Sequence, residues 1–528
     1  MTEKASPSDD PDGDDTADDS EFTQDDAVRG VLKGAGVVYA GLVLNMGIAF
    51  VAQRFAAVHL SIGGFGSLLS GTALLDVGAV LAGLGLSSGL VRYLPRVDDE
   101  QKKPLVKYTF LFSLPFSLVV AVPTVVFADL IAAEIFNDPE IAVSLRIFGA
   151  TIPFAALLNL AIGGIRGQMV SRFRVYIKDI LHPSVRFGLI MVAVVVGAGQ
   201  AGFAAGYAIP YIVGAIVAVV LLWTVLPSGK GLQSGRNVLP EMVRYSLPFT
   251  VTGLASFVYR SIDIFLILYL LDSRAVGMYG VAYAFAQLIG MFSTAFSYLS
   301  TPVSSQLENE GRVREAVAVQ ETMARWIIIA TTAALVPMVL FASDLLGLIY
   351  RPAYSTAGLA LIILIFGFAV KNVLQTHGPI IEALGKSKLS ALNTGSAAVV
   401  NLLVNLALIP RYGIEGAAFA TTVSFVVLGA LPTVEVWYYT RSTAISRHVI
   451  APVIVAVPLT LIAIPVSQTI PRSLLWIFGG SAVFALAYTV AVVVVLGFTQ
   501  EDVMVVRSVE DKYGIPLGPF DTVLRRFS

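Results

Sequence analysis

The sequence predicts an all-α membrane protein of about fourteen transmembrane helices, arranged as two parallel six-helix repeats plus two C-terminal helices. Three observations lead there. Of 528 residues, 56% are hydrophobic and 13% charged, whereas an ordinary soluble domain carries about 25% charged residues. Apolar runs of the ~20 residues needed to cross a bilayer recur, separated by short polar segments. Lys and Arg fall in alternate segments, the pattern that repeated crossing imposes.

Residues 1–30 come first. Eleven acids from Glu3 to Asp26 stand against a single Lys4. Such a like-charged block buries too little apolar area to fold, so it reads as an acidic disordered tail. It also lacks the basic start and apolar core of a secretory signal. A first six-helix bundle then occupies 31–226, with spans at 35–57, 66–91, 105–129, 146–166, 179–199 and 203–226. The second, at 243–440, has spans at 246–271, 277–300, 325–349, 357–381, 390–409 and 415–438. Two further helices at 449–468 and 473–497 complete the segment 449–497, and 498–528 is a mixed C-terminal tail.

Orientation follows from the basic residues. Arg92, Arg96, Lys102, Lys103 and Lys107 share one loop; Arg166, Arg172, Arg174 and Lys178 share the next loop but one. The set continues through Lys230, Arg236 and Arg244, then Arg312, Arg314 and Arg325, then Lys386 and Lys388, then Arg441 and Arg447. The intervening loops carry at most one each, such as Arg274, Arg351, Arg411 and Arg472. The basic loops and both termini are therefore assigned to the cytoplasm of a multi-pass cell-membrane protein.

The chain contains no cysteine, and its four histidines are scattered. Disulfides and thiolate chemistry are excluded, and neither a metal site nor a cofactor is expected. Gly385-Lys386-Ser387 looks like the end of a P-loop, but the glycine that motif needs five residues earlier is Ile380. The basic loops are read as topology and anionic-lipid signals, not nucleic-acid patches.

Self-similarity gives the two bundles their relation. Gly63-Gly64-Phe65-Gly66 recurs as Gly277-Met278-Tyr279-Gly280, and Ala201-Gly202-Phe203-Ala204-Ala205 answers Glu415-Gly416-Ala417-Ala418-Phe419, both at a shift of 214. Ile147-Phe148-Gly149 recurs as Ile365-Phe366-Gly367, and Gly167 matches Gly385, at a shift of 218. Collinear matches near one offset indicate duplication. Because six is even, both units enter from the same side, related by a pseudo-two-fold axis along the membrane normal, as in transporters.

Together these segments resemble the oligosaccharide flippases of the multidrug/oligosaccharidyl-lipid/polysaccharide superfamily, the Wzx-like polysaccharide biosynthesis proteins. The resemblance spans roughly 30–497 and rests on four stretches: Gly63 to Arg96, above all Leu84 to Arg96, Ser261-Ile262-Asp263 followed by Val276 to Gly280, Leu384 to Ser387, and Arg411 to Ala418. It implies a transporter, not an enzyme, that moves a lipid-linked saccharide on an undecaprenyl or dolichyl phosphate from the cytoplasmic to the outer leaflet. The acidic tail and absent cysteine resemble haloarchaeal usage, which favours a dolichyl carrier and protein glycosylation or surface polysaccharide. The implied partners are the lipid-linked saccharide, membrane lipids and glycosyltransferases of the same pathway, with no nucleic acid and a monomeric chain.

Ionisable groups inside spans are costly and usually face a cavity or a partner. Arg54, Arg260, Lys371 and its neighbour Asn372 are the substrate-binding candidates, since a sugar phosphate crossing hydrocarbon needs cations along its route. Bringing their helices together rests on the resemblance. Arg260 and Asp263 are three apart and share a helical face, so a pair within the helix competes with the cavity role. Asp76 and Asp263 are the coupling-ion candidates. Asn401 and Asn405 are read as contacts between helices. Two other readings remain. A drug or small-cation exporter of the same superfamily would favour acids over bases in its cavity. A membrane glycosyltransferase or polymerase would need a sizeable aqueous part, whereas the longest outer loop offers only Asp129, Glu134, Asp138 and Glu140.

Overall fold

The computed structural model describes residues 44–227, 237–294, 313–442 and 445–497, and every regular element among them is helical. The tails predicted at 1–30 and 498–528 lie outside the described residues. Among those described, eleven helices are long and apolar enough to cross a membrane, so the chain is a multi-pass membrane protein. Helices answer a physical demand: hydrocarbon offers no hydrogen-bond partner to backbone groups left open.

Helix α1 covers 44–59, α2 Ile62–Gly83 and α3 Leu86–Tyr93. Ser61 starts α2 by accepting a hydrogen bond from Gly64 N at 2.8 Å, satisfying one of the free donors at a helix start. The helix stops where Leu84 and Gly85 take left-handed φ values of 47° and 67°. Gly85 is needed there on two counts, because a Cβ would also stand 2.2 Å from the Ser246 carbonyl oxygen. Then follow α4 (Asp99–Val126), α5 (Ala142–Gly167), α6 (Arg172–Val196) and α7 (Gly199–Val225). Within α6 a wider π turn spans Val175–Leu181. Helix α5 is central, packing on α2, α4 and α7.

The next stretch holds α8 (Leu239–Leu270), α9 (Ser273–Gln287), α10 (Val313–Leu340), α11 (Ala342–Ile349), α12 (Gly358–Leu374) and α13 (Ser387–Thr440). Asp272 caps α9 by accepting from Ala275 N at 2.7 Å. Helix α13 is two helices joined at Gly413, whose φ of 58° and ψ of −135° break the spiral. The break falls in the gap expected between the spans at 390–409 and 415–438. Helices α14 (Arg447–Thr469) and α15 (Leu474–Leu496) pack on α10 at the periphery. Their outer faces are apolar and open, with Leu461 65% and Leu475 81% exposed, as befits side chains that meet lipid.

The stretches 44–227 and 237–442 touch in two zones. In one, α2 and α9 approach so closely that a Cβ on Gly277 would stand 2.2 Å from the Ile62 carbonyl oxygen, the small-residue packing that membrane helices favour. Around it Arg351 donates to the carbonyls of Ala57 and Leu60, and Ser273 N donates to Asp138 Oδ2 at 2.9 Å. In the other zone α3 lies on α8. There Tyr93 Oη donates to Glu241 Oε1 at 2.9 Å, and the Arg92 guanidinium sits 4.2 Å above the Tyr245 ring.

Candidate functional site

Between these two zones lies a small cavity where α1, α2, α8 and α9 converge. Its volume is about 90 Å³, and its walls include Gln53, Leu69, Arg260, Asp263, Tyr279 and Tyr283. An adjoining space of about 120 Å³ continues it past Asn45 and Phe50 and shares Gln53 and Gln287. The two faces of the cavity come from stretches about 200 residues apart, and α2 and α9, crossing on their glycines, hold the walls within reach.

Arg260 is exposed to this space, and its Nε donates to the Ser256 carbonyl of its own helix at 3.3 Å. The pair with Asp263 that their spacing permits is not made. Asp263 is buried and turns to the protein instead: it accepts from the Tyr279 hydroxyl, from Ile264 N at 3.0 Å and from Thr421 Oγ1 at 3.4 Å. Arg260 thus forms no ion pair among the described residues and keeps its guanidinium for the cavity.

Lys371 and Asn372 are adjacent in sequence but live in different places. The Lys371 ammonium is 4.4 Å from the Phe425 ring centroid, 5.3 Å from Phe368 and 5.8 Å from Tyr259. This aromatic cage offsets part of the cost of a cation at membrane depth. Asn372 is buried, and its Nδ2 donates to the Ile289 carbonyl at 2.8 Å and to Thr331 Oγ1 at 3.3 Å. Its Oδ1 accepts from Ser293 Oγ at 2.9 Å. These contacts tie α12 to α10 and to the chain beyond α9.

Arg54 shows the same rotation. Its Nε donates to the Ile349 carbonyl at 2.7 Å, joining α1 to α11, while the preceding Gln53 faces both cavity spaces. Asp76 on α2 is exposed and within electrostatic reach of Arg260 and of Lys178 on α6. Asn401 Nδ2 donates to Ser424 Oγ at 3.2 Å, and Asn405 Nδ2 donates to Asn401 Oδ1 at 3.0 Å. Both asparagines are buried in the joint between the two arms of α13.

Sequence reasoning passed over Tyr279, Tyr283 and Gln287, because neutral polar and aromatic side chains in an apolar run carry no insertion cost large enough to notice. It also left Lys178 outside the fifth span. That residue lies on α6, where its Nζ donates to Asn159 Oδ1 of α5 at 3.1 Å.

A family profile described as "Polysaccharide biosynthesis protein" matches residues 59–357. The "Probable low-salt glycan biosynthesis flippase Agl15" of Haloferax volcanii is 24% identical over 392 residues, covering 73% of this chain and 79% of that protein. Among solved structures, the lipid II flippase MurJ in an inward closed conformation superposes with a TM-score of 0.71 at 13% identity, over 87% of this chain and 98% of that one. An inward-facing multidrug resistance MATE family transporter gives a TM-score of 0.60 at 15% identity, over 75% of this chain and 94% of the other. At these identities the two structures are evidence of fold alone.

Proposed function

We infer, for a chain that belongs to the polysaccharide biosynthesis protein family, a flippase that carries a lipid-linked saccharide from the cytoplasmic leaflet to the outer one. One observation carries the reading: a cavity between two helical stretches presents an arginine that makes no ion pair among the described residues, with Asp76 the carboxylate in electrostatic reach. A phosphate linking lipid to sugar needs such a cation at membrane depth, where an uncompensated anion is costly. A groove of about 560 Å³ lined by Val336, Phe366, Val370, Val457 and Leu461 opens between α10, α12 and α14. A polyprenyl tail fits that apolar surface while its head occupies the cavity. Helix α12 serves both, with Lys371 on the cage side and Val370 in the groove.

The topology behind this reading has fourteen crossings. Dividing α13 at Gly413, and adding α1 and α9 to the helices long and apolar enough to cross, supports that number. The two-repeat arrangement is supported by α2 and α9, whose matching glycine stretches meet at matching depth. Gly277 lies against Ile62 and Gly280 against Phe65 and Leu69, as elements related by an axis along the membrane normal do. The basic loops and both termini then face the cytoplasm of the cell membrane. Glycosyltransferases that build the saccharide are its natural partners, and the chain acts as a monomer on a dolichyl or undecaprenyl carrier without covalent chemistry.

Roles follow from the contacts. Arg260 and Lys371 receive the phosphate, whereas Arg54 and Asn372 hold the helices that position them. Of the coupling-ion candidates, Asp263 suits a proton or small cation, being a buried carboxylate among hydroxyls. Asp76 instead balances Arg260 and Lys178. Deleting the gene should leave the lipid-linked saccharide on the cytoplasmic leaflet, identified by mass. A deletion strain that exports normal glycan, with no such accumulation, would overturn the assignment.

A further inference from the structure

The first helical stretch holds a row of basic side chains, apart from the cavity walls described above. Lys178, His182 and Arg186 stand at i, i+4 and i+8 on α6 and so share one helical face. That face points inward. Lys178 bonds Asn159 of α5, the His182 ring sits edge-on to the Tyr211 ring at 4.6 Å, and the Arg186 guanidinium lies 5.3 Å from the Tyr207 ring centroid. The lipid side of the same helix is carried by Ile180, Val192 and Val195, all exposed.

What this row lacks is an anion. Arg186 Nε and His182 Nε2 are buried with no hydrogen-bond partner among the described residues, and none of the three side chains makes an ion pair there. Asp76 and Asp179 are the carboxylates within electrostatic reach of Lys178, and Asp76 is shared with Arg260. A buried guanidinium nitrogen without an acceptor is expensive, and more so in a membrane. The cost is recovered when a group bearing several negatively charged oxygens enters, since such oxygens accept from ammonium, imidazole and guanidinium donors at once.

We propose that Lys178, His182 and Arg186 form a second anion subsite that takes an oxyanion of the headgroup, either its phosphate or an acidic sugar carboxylate, as the head enters from the end bearing the basic loops. Lys178 lies nearest that end, within reach of Asp76, and makes first contact; Arg186 stands two turns further along the helix. This inference rests on the flippase reading, and adds a binding wall in the first stretch to the one in the second.

The test is binding of farnesyl phosphate and farnesol to the full-length protein in nanodiscs, with inorganic phosphate and glucuronate as competitors. The wild-type protein should prefer farnesyl phosphate. Arg186→Gln and Lys178→Gln should each weaken farnesyl phosphate at least tenfold and leave farnesol unchanged, and Arg186→Lys should recover part of the loss. Competition by phosphate assigns the subsite to the phosphoryl group; competition by glucuronate alone assigns it to the sugar acid. Lys178 is exposed, so its variant folds even if the one at Arg186 does not. Both Gln variants binding as the wild type does, while Arg260→Gln loses affinity, would overturn the subsite and leave the flippase reading standing. A wild-type protein with no preference for the phosphate would overturn both.

Discussion

Two sets of polar side chains, one in 44–227 and one in 237–442, live under opposite conditions. In the second stretch Asp263, Asn372 and Asn401 are buried and bonded to neighbouring helices. In the first, Asp76 and Lys178 are exposed at membrane depth, and Arg186 and His182 keep nitrogens without partners. Satisfied groups hold helices together; unsatisfied ones are left open for something that arrives. In the second stretch Arg260 and Lys371 make no ion pair among the described residues, and those are its substrate candidates. The contrast separates scaffold from site without reference to any relative.

That separation is tested first by Arg260→Gln. Losing a charge-assisted hydrogen bond worth about 1.5–3 kcal/mol should slow flipping roughly 10- to 100-fold. The thermal unfolding midpoint should stay where it is, because the Ser256 carbonyl that Nε meets lies in the same helix and keeps its backbone hydrogen bond. A lower midpoint with unchanged flipping would place Arg260 in the scaffold. Asn372→Ala is the converse. It strands Ile289, Ser293 and Thr331 in a dry interior, so stability should fall by about 1–3 kcal/mol while affinity for farnesyl phosphate holds. Weaker affinity at full stability would return Asn372 to the substrate.

Asp263→Asn sharpens the comparison within one residue. The Tyr279 and Thr421 contacts can be kept by an amide, so stability should change by roughly 1 kcal/mol. Any dependence of flipping on a proton or sodium gradient should disappear. Asp76→Asn should keep that dependence, and a loss there instead would exchange the two assignments. The smallest effect is expected of Arg54→Gln, which removes one bond to the Ile349 carbonyl. About 0.5–1.5 kcal/mol of stability should go, with flipping within roughly twofold of the wild type.

Much of this was legible in residue order. Apolar runs placed the spans because the bilayer imposes a length, and the interruption at Arg411-Tyr412-Gly413 marked where α13 breaks. Arg260 and Lys371 stood out because a charge in hydrocarbon is expensive wherever it lies. What sequence spacing could not give is azimuth beyond a single helix. Consecutive residues on a helix point about 100° apart, so Asn372 turns from the cage that Lys371 occupies, and Arg54 from the cavity that Gln53 faces. Arg260 and Asp263 share a face yet do not pair, since Tyr279 and Thr421 claim the carboxylate from other helices. Lys178 was read as loop because basic residues at span ends ordinarily are. The π turn that carries it into the bundle has no signature in composition.

The most direct test is flipping by purified protein in liposomes that carry a fluorescent polyprenyl-phosphate saccharide in both leaflets. Chemical quenching from outside removes the fluorescence of one leaflet. With wild-type protein, quenching should proceed to near completion, and with Arg260→Gln it should stall near the half that empty liposomes give. Complete quenching with the variant at the wild-type rate, or quenching that stalls at half with the wild type, would contradict a saccharide-phosphate route through this cavity.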